Sequence, residues 1–515
     1  MSLQASTALA VFNVRDFGAT GRRADHAQAP LQAAIDAAAA AGGGLVYVPP
    51  GEYTTGTLLL KSYVRFHVEV GATLYGSKVA EHYPKKAFFY AEDAHHISLE
   101  GRGTIDGLGA YEWKVQDWRD WYIYPNQLLA EKVGVPLTRS FPTADSLGGH
   151  LVLFIRCQDV RIENLSFLHS PSWTMHLWQL DRLVIDGIYI YTSQRDGVWA
   201  DGIDPDGCRD VHINNCTIET GDDALVIYDT DIYGPVRASE NITVTNCRLS
   251  SSSSAFKFCD GNMLAIRNVV LSNCVITKSN RGLAFMVFAG GVLENVIISN
   301  CTIECERFDW FWWGDGDPLH FNLIQYSDIV PDRDPATEPP IGKIRNVIIS
   351  NVIAHGPGPS KIHGHKDSYL ENLTFENVRL TVDADVDAPW RKGPHALSID
   401  LARNVKFKDF EITWQGPVSS HWQSAFYAEN VDDLILDNFS TRQAQAGGAD
   451  AALLLHNVHN AVVRNGAAQP GTTTYLHLTG DTREVVLFAN DVRHADKEVT
   501  QSAEVGKTAV QHGWK

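Results

Sequence analysis

Four segments decide the fold: VHINNCTI (211–218), ITVTNCRL (242–249), VVLSNCVI (269–276) and VIISNCTI (296–303). Each alternates apolar and polar residues with a period of two, is rich in β-branched residues, and carries an Asn just before a Cys or its equivalent. VRIENLSF (160–167) precedes them, and VIISNVIA (347–354), LTFENVRL (373–380), VKFKDFEI (405–412) and LILDNFST (434–441) follow. Alternation predicts strands rather than helices. A recurrence of about 27 residues is the mark of a stacked repeat architecture. Helical repeats are excluded by the missing 3.6 period, and leucine-rich repeats by the missing leucine framework. What fits is an all-β, single-stranded, right-handed parallel β-helix. Its turns have Asn at a corner, where left-handed backbone is cheap and the amides of successive turns meet. The cysteines at 216, 247, 274 and 301 share one repeat position, so stacking makes them a column of small buried hydrophobes; CxxC-type spacing is missing. Cys301 and Cys305 are free to pair or to remain thiols.

A solenoid needs closed ends. APLQAAIDAAAAA (29–41) predicts an Ala-rich amphipathic capping helix with Pro30 near its start and Gly42–Gly44 at its end. The expectation is one β-helix domain over 1–515. It comprises a cap and first turns over 1–75, a main coil over 76–465, and C-terminal turns and tail over 466–515. Two stretches break the period. Residues 107–150 contain YEWKVQDWRDWYIY, and residues 306–341 contain RFDWFWWGDGDP. Long excursions from a regular scaffold carry binding surfaces, and Trp and Tyr stack on sugar rings.

The chain has 515 residues, 44% of them hydrophobic and 20% charged, as in folded proteins. No apolar run of 18 residues is present, so no membrane partner is expected. A formal net charge of −18 argues against nucleic acid. It also means that an acidic saccharide would need a local basic patch. Residues 1–10 show no charged n-region and apolar h-region, so the expectation is cytoplasmic if this start is native, and periplasmic or secreted if a leader was removed. Oligomeric state is not legible.

WADGIDPDGCRDVHINNCTIETGDDALVI (199–227) carries the chemistry. Asp201 lies about one turn before the adjacent Asp222 and Asp223, so stacking brings three carboxylates to one strip about 4.8 Å per turn apart. Gly221 permits an irregular backbone that turns both neighbouring acids the same way. Crowded carboxylates cannot all ionise cheaply; one keeps a proton as general acid while the others hold water, and a separation of roughly 6.5–9.5 Å gives inversion. Clustered acids also suit a metal, so a calcium-dependent lyase competes.

The chain resembles the polygalacturonase family, glycoside hydrolase family 28, over most of its length. The resemblance runs through FNVRDFGATGRRAD and GGGLVYVPPGEYTTGTLLLKS (within 12–62), GRGTIDGLG (101–109), SPSWTMHLW (170–178) and DGIDPDGCRDVHINNCTIETGDDA (201–224). It implies a right-handed β-helix, no metal or other cofactor, and hydrolysis of pectic chains with inversion. Asp222 would be the general acid, Asp201 and Asp223 the residues that activate water, and His176 a residue beneath the site. Three departures stand out. Trp199 and Ala200 replace Asn-Thr, Ser252–Ser254 replace Gly-His-Gly, and Ala284, Phe285 and Met286 replace the Arg-Ile-Lys that grips galacturonate carboxylates. Lys257 and Arg281 lie close enough in sequence to take over that contact. Trp199, Trp312 and Asp315 complete the expected substrate-binding set, Asp317 in the same WWGDGDP stretch is expected to line the pocket with Asp315, and the His363–His365 pair reads as a turn between rungs.

The expected function is an inverting, exo-acting glycoside hydrolase of galacturonan- or rhamnogalacturonan-type poly- or oligosaccharides, with the aromatic excursions closing a cleft into a pocket. Alternatives are a glycosidase of the same fold acting on a neutral pectin side-chain sugar, a metal-dependent polysaccharide lyase, and a carbohydrate-binding coil without turnover.

Overall fold

The computed structural model of the chain describes residues 10–115, 142–144, 148–258, 261–308, 314–328, 334–383 and 393–513. Contacts divide them into two compact units, one holding 10–115, 142–144, 148–227 and 231–248, the other 228–230 and everything described from 249 onward.

In the first unit, each turn contributes strands to three parallel strips. One runs through His150–Ile155, Met175–Trp178, Ile203–Asp206 and Leu225–Ile227. A second runs through Gln158–Glu163, Asp181–Asp186, Arg209–Asn214 and Ser239–Thr245. The third holds Ser166–Leu168, Tyr189–Tyr191 and Thr217–Thr220. Alternate residues face the core, so Ile203, Val211, Ile213 and Ile218 are buried as their pattern requires. The fold is the expected all-β parallel β-helix.

The capping helix spans Gln28–Ala40 and buries Leu31, Ala34, Ile35 and Ala38, one stripe of an amphipathic helix. It packs on the opening strands Gly44–Val48 and Val64–Val68. The chain leaves it through Gly42 and Gly43 at φ 87° and 124°, where only glycine is unstrained.

The second unit shows the asparagine corners most fully. Asn295 donates to Asn268 (3.2 Å), Asn346 to Asn295 (3.1 Å), Asn372 to Asn346 (2.9 Å) and Asn404 to Asn372 (2.7 Å). A second ladder links Asn273, Asn300, Asn351 and Asn377. Each of these asparagines has φ between 52° and 59°. The residue type therefore supplies the left-handed corner and an amide bond between turns. Inside, Phe258, Phe285, Phe321, Phe375 and Phe407 form a line of neighbouring rings, with Phe285 and Phe321 stacked at 4.0 Å.

The excursions differ from the sequence reading in one respect. Within 306–341, Asp317–Leu323 is a rung of the coil, paired in parallel with Arg281–Val287 and Ser360–His363. The preceding Gly-Asp-Gly-Asp masks the alternation of LHFNL. Within 107–150, Trp113–Val115 and Pro142–Ala144 form an antiparallel ladder outside the coil's period. Most of YEWKVQDWRDWYIY, and residues 309–313 with Trp312, lie outside the described residues. Cys157, Cys208, Cys216, Cys247, Cys274, Cys301 and Cys305 are buried free thiols, so Cys301 and Cys305 are not bonded.

Candidate active site

Asp201, Asp222 and Asp223 come together in the first unit, at the mouth of the strip that holds Ile203–Asp206 and Leu225–Ile227. Ile203 pairs with Leu225, the Gly202 amide donates to the Asp223 carbonyl at 2.9 Å, and the Ile203 amide donates to the Ala224 carbonyl. That register sets Asp201 beside Asp223 on the next turn, about 4.8 Å along the coil. All three acids are nearly inaccessible, at 2%, 4% and 2% exposure for Asp201, Asp222 and Asp223. Carboxylates are rarely so buried without a task or a partner.

Asp222 precedes the strand in a bend, and backbone donors hold both its oxygens. The Asp223 amide donates to Oδ1 at 3.0 Å, and the Trp199 amide donates to Oδ2 at 3.0 Å. The Thr220 hydroxyl donates to the Asp222 carbonyl at 2.6 Å. Gly221 makes the bend possible by close approach rather than by a left-handed φ. A Cβ there would lie 2.3 Å from the Ser193 carbonyl oxygen and 2.4 Å from that of Gly197. The Gly221 amide in turn donates to Thr192 Oγ1 at 2.9 Å. Trp199 reaches Asp222 only with φ at 63°, a strained conformation for a bulky residue.

The row continues away from Asp223. The Thr174 amide donates to the Asp201 carbonyl at 2.8 Å, so Trp173 flanks Asp201. His150 follows on the next turn, with its Nδ1 3.3 Å from the Trp173 carbonyl and its ring 5.7 Å from the indole. His176, on the adjoining strand, is buried with its ring 4.8 Å from Trp173, 5.4 Å from His150 and 5.4 Å from Tyr233. Its Nε2 lies 3.1 Å from Asp206 Oδ2. Burial drives the His150 pKa down to about 3, with the His176 imidazole adding to the effect. The sequence reading missed His150, Trp173 as a lining residue, and the Asp206 partner. Turns of unequal length hide which residues stand side by side.

Lys257, Arg281 and Asp315 belong to the second unit, where all three are buried. Lys257 faces outward between the core residues Phe256 and Phe258, and Arg281 opens the strand that pairs with Asp317–Leu323. Asp315 Oδ2 lies 3.6 Å from Lys361 Nζ, and the Asp315 amide donates to Asp317 Oδ1. His320 Nδ1 lies 3.2 Å from Asp317 Oδ2. Ala284, Phe285 and Met286 occupy the strand centre; Phe285 points to the core, while Ala284 and Met286 form an apolar outer patch with Phe288. His363 is a strand residue with Nε2 3.1 Å from Ser398 Oγ, and His365 bridges to Ser368 in a turn.

Two family matches cover this chain: "Glycosyl hydrolases family 28" over residues 143–304, and "Rhamnogalacturonase A/epimerase, pectate lyase-like" over 11–97. A probable polygalacturonase of Vitis vinifera is 26% identical over 213 residues, which is 38% of this chain and 38% of that protein. The chain thus aligns with well under half the length of that relative. A mannuronan C5-epimerase of Azotobacter vinelandii is 54% identical over 61 residues, 10% of this chain and 3% of that protein. A family 28 exopolygalacturonase of Yersinia enterocolitica superposes with a TM-score of 0.63 at 18% identity, covering 85% of this chain and 80% of that one, a likeness of fold. Among the described residues no helix is long and apolar enough to cross a membrane. Residues 143–304, which hold Asp201, Asp222 and Asp223, match the model of glycosyl hydrolases family 28, and the chain is similar to polygalacturonases.

Proposed function

We propose that the protein hydrolyses glycosidic bonds of pectic poly- or oligosaccharides of galacturonan or rhamnogalacturonan type, with inversion and from a chain end. The observation that carries this reading is the buried acid group: Asp201 stands beside Asp223, and two backbone amides aim the carboxyl of Asp222. Asp222 protonates the leaving oxygen, and Asp201 with Asp223 orients and deprotonates the attacking water. Trp173 and Trp199 offer aromatic faces beside the acids, and His176, fixed by Asp206, supports that floor. The single domain expected over 1–515 stands as part of the same proposal.

The test is hydrolysis of defined galacturonan and rhamnogalacturonan oligomers, followed by proton NMR of the nascent product. A product of inverted configuration at the new reducing end, released as a monosaccharide with little loss of polymer viscosity, is expected. Retention of configuration, or an unsaturated product absorbing in the ultraviolet, overturns the reading. Asp222→Asn is expected to lower kcat by about 10²–10⁴-fold, the usual worth of a general acid, while the fold persists. Unchanged turnover in that variant removes Asp222 from the role.

A further inference from the structure

We propose that a groove on the outer side of the first unit is a second saccharide-binding site, which holds an uncharged, methyl-esterified stretch of a pectic chain while the acids act elsewhere. This inference rests on the pectic reading above and extends it to residues with no part in the acid group. The groove has a volume of about 550 Å³, and Tyr63, Arg65, His96, Asp159, Arg161 and Arg182 are among the residues that line it; ligand sites are usually of this size. It lies on the second strip, whereas the acids stand at the mouth of the first. Two rows of side chains form its walls. Tyr63, His96, Asp159 and Arg182 occupy one corner of four successive turns. Arg65, Ser98, Arg161 and Val184 stand in register on the strands that follow, alternating with the buried Phe66, Leu99, Ile162 and Ile185 and so turned outward. Each turn advances about 4.8 Å, so the row from Tyr63 to Arg182 spans about 14 Å, with a step close to one residue of an extended glycan.

The corner residues set this wall apart. The next turns of the unit put Asp210 and Asn241 at the corner, where the Asn241 side-chain amide donates to Asp210 at 3.0 Å. The groove instead begins with Tyr63 at φ 65° and His96 at φ 56°. Tyr63 is 51% exposed in that conformation, so neither burial nor backbone preference accounts for an aromatic ring there. The ring stacks on His96 at 5.2 Å and meets His95 edge-on at 4.7 Å. A tyrosine that is open to solvent and braced by two imidazoles is a platform for the apolar face of a sugar. Along the rest of the wall each cation is matched by an acid. Arg65 pairs with Glu100 at 2.6 Å and Arg161 with Glu163 at 3.1 Å, while Arg182 grips both oxygens of Asp159 at 2.6 and 2.8 Å. His96 Nε2 lies 3.7 Å from the same Asp159. A guanidinium has about five N–H donors and a carboxylate about four acceptor sites, so every pair keeps some of each for a ligand. Hydroxyls, which donate and accept at once, match such a wall. An anionic sugar meets Glu100, Asp159 or Glu163 beside the very cation it seeks, which selects against it.

The experiment measures retention of the full chain carrying Asp222→Asn on two cross-linked galacturonan gels, one fully methyl-esterified and one de-esterified. The parent is expected to bind the ester gel. Tyr63→Asn removes the ring and installs a residue that suits the left-handed corner. It should fold, and bind the ester gel about three- to tenfold more weakly, the range of one aromatic contact. Tyr63→Phe keeps the platform and should stay within about twofold of the parent. Affinity for the de-esterified gel should be the same in all three. With Asp222 restored, Tyr63→Asn should melt no lower than the parent and turn over trigalacturonate with the parent's kcat and KM. Unchanged ester binding in Tyr63→Asn overturns the proposal, as does equal weakening on both gels, because the groove then does not distinguish charge. A parent that ignores the ester gel overturns it too, and so does a lower melting temperature or lost turnover in Tyr63→Asn, which marks a structural role for the ring. Failure of the hydrolase reading shows separately, as absence of turnover by the unmutated chain.

Discussion

Trp199 donates its main-chain N–H to Oδ2 of Asp222 at 3.0 Å while held at φ 63°. The bond that aims the carboxyl is therefore independent of the indole, whereas the strain comes from placing a bulky side chain in left-handed backbone. Trp199→Asn separates the two. Asn adopts this conformation readily, so the variant should gain about 1 kcal/mol of stability in denaturant titrations. Its kcat should stay within a few-fold and its KM should rise as the ring contact is lost. A collapse of kcat would place the indole in the chemistry.

Gly221→Ala attacks the same bend from the other side. The added methyl would meet the carbonyl oxygens of Ser193 and Gly197 well inside contact distance, and both are main-chain atoms with little freedom to yield. Overpacking of this kind costs about 1–3 kcal/mol. The predicted outcome is that loss in thermal melts, together with a fall in kcat because Asp222 and Asp223 move with the backbone. A fully active variant would show that the bend tolerates displacement.

Asn300 sits mid-ladder, donating to Asn273 at 3.3 Å and accepting from Asn351 at 3.1 Å, at φ 56°. Asn300→Gly loses the two bonds and keeps the conformation, while Asn300→Ala loses both. Each bond contributes about 1 kcal/mol, and the left-handed alanine adds roughly 1–2 kcal/mol. Chemical denaturation should rank parent above glycine above alanine. Equal stability of the two variants would show that the corner conformation carries no cost.

Acid should destabilise the fold before carboxylates are neutralised. Burial depresses His150 to about 3, and His363 and His395 to about 4, with Lys361 adding to the effect at His363. In the unfolded chain these imidazoles take up protons near 6.5. The unfolded state therefore binds more protons below that point. Their contribution is complete above about pH 6.5 and falls steadily toward pH 4. Asp400 acts oppositely, since burial raises it to about 6 and the folded state holds its proton first. His26, also depressed by burial, joins the first set, and His169, raised by its hydrogen bond to Asp106, joins Asp400, so the depressed imidazoles still outnumber the raised groups and melting temperature should drop between about pH 7 and pH 5. His150→Phe should flatten the slope; a flat parent profile would refute the sign.

The coil was legible because two periodicities coincide, alternation within a strand and a corner asparagine once per turn. The acid group was legible for a related reason: Asp201 and Asp223 fall one turn apart, and Gly221 announces a bend. What hid was contact between turns of different length. Trp173 beside Asp201, and His150 beside Trp173, follow from a register that no local pattern encodes. Asp317–Leu323 hid behind glycines that read as loop. Tyr63 and Arg182 stand far apart in sequence, and only stacking sets them on one corner row.

The buried thiols give the molecule a built-in record of its own opening. Cys216 and Cys247 mark neighbouring turns in one unit, and Cys274, Cys301 and Cys305 mark turns in the other. An alkylating reagent reaches such sulfurs only when their turn separates from its neighbours. The order in which these cysteines become alkylated under mild denaturant thus reports, unit by unit, where the spiral loosens first.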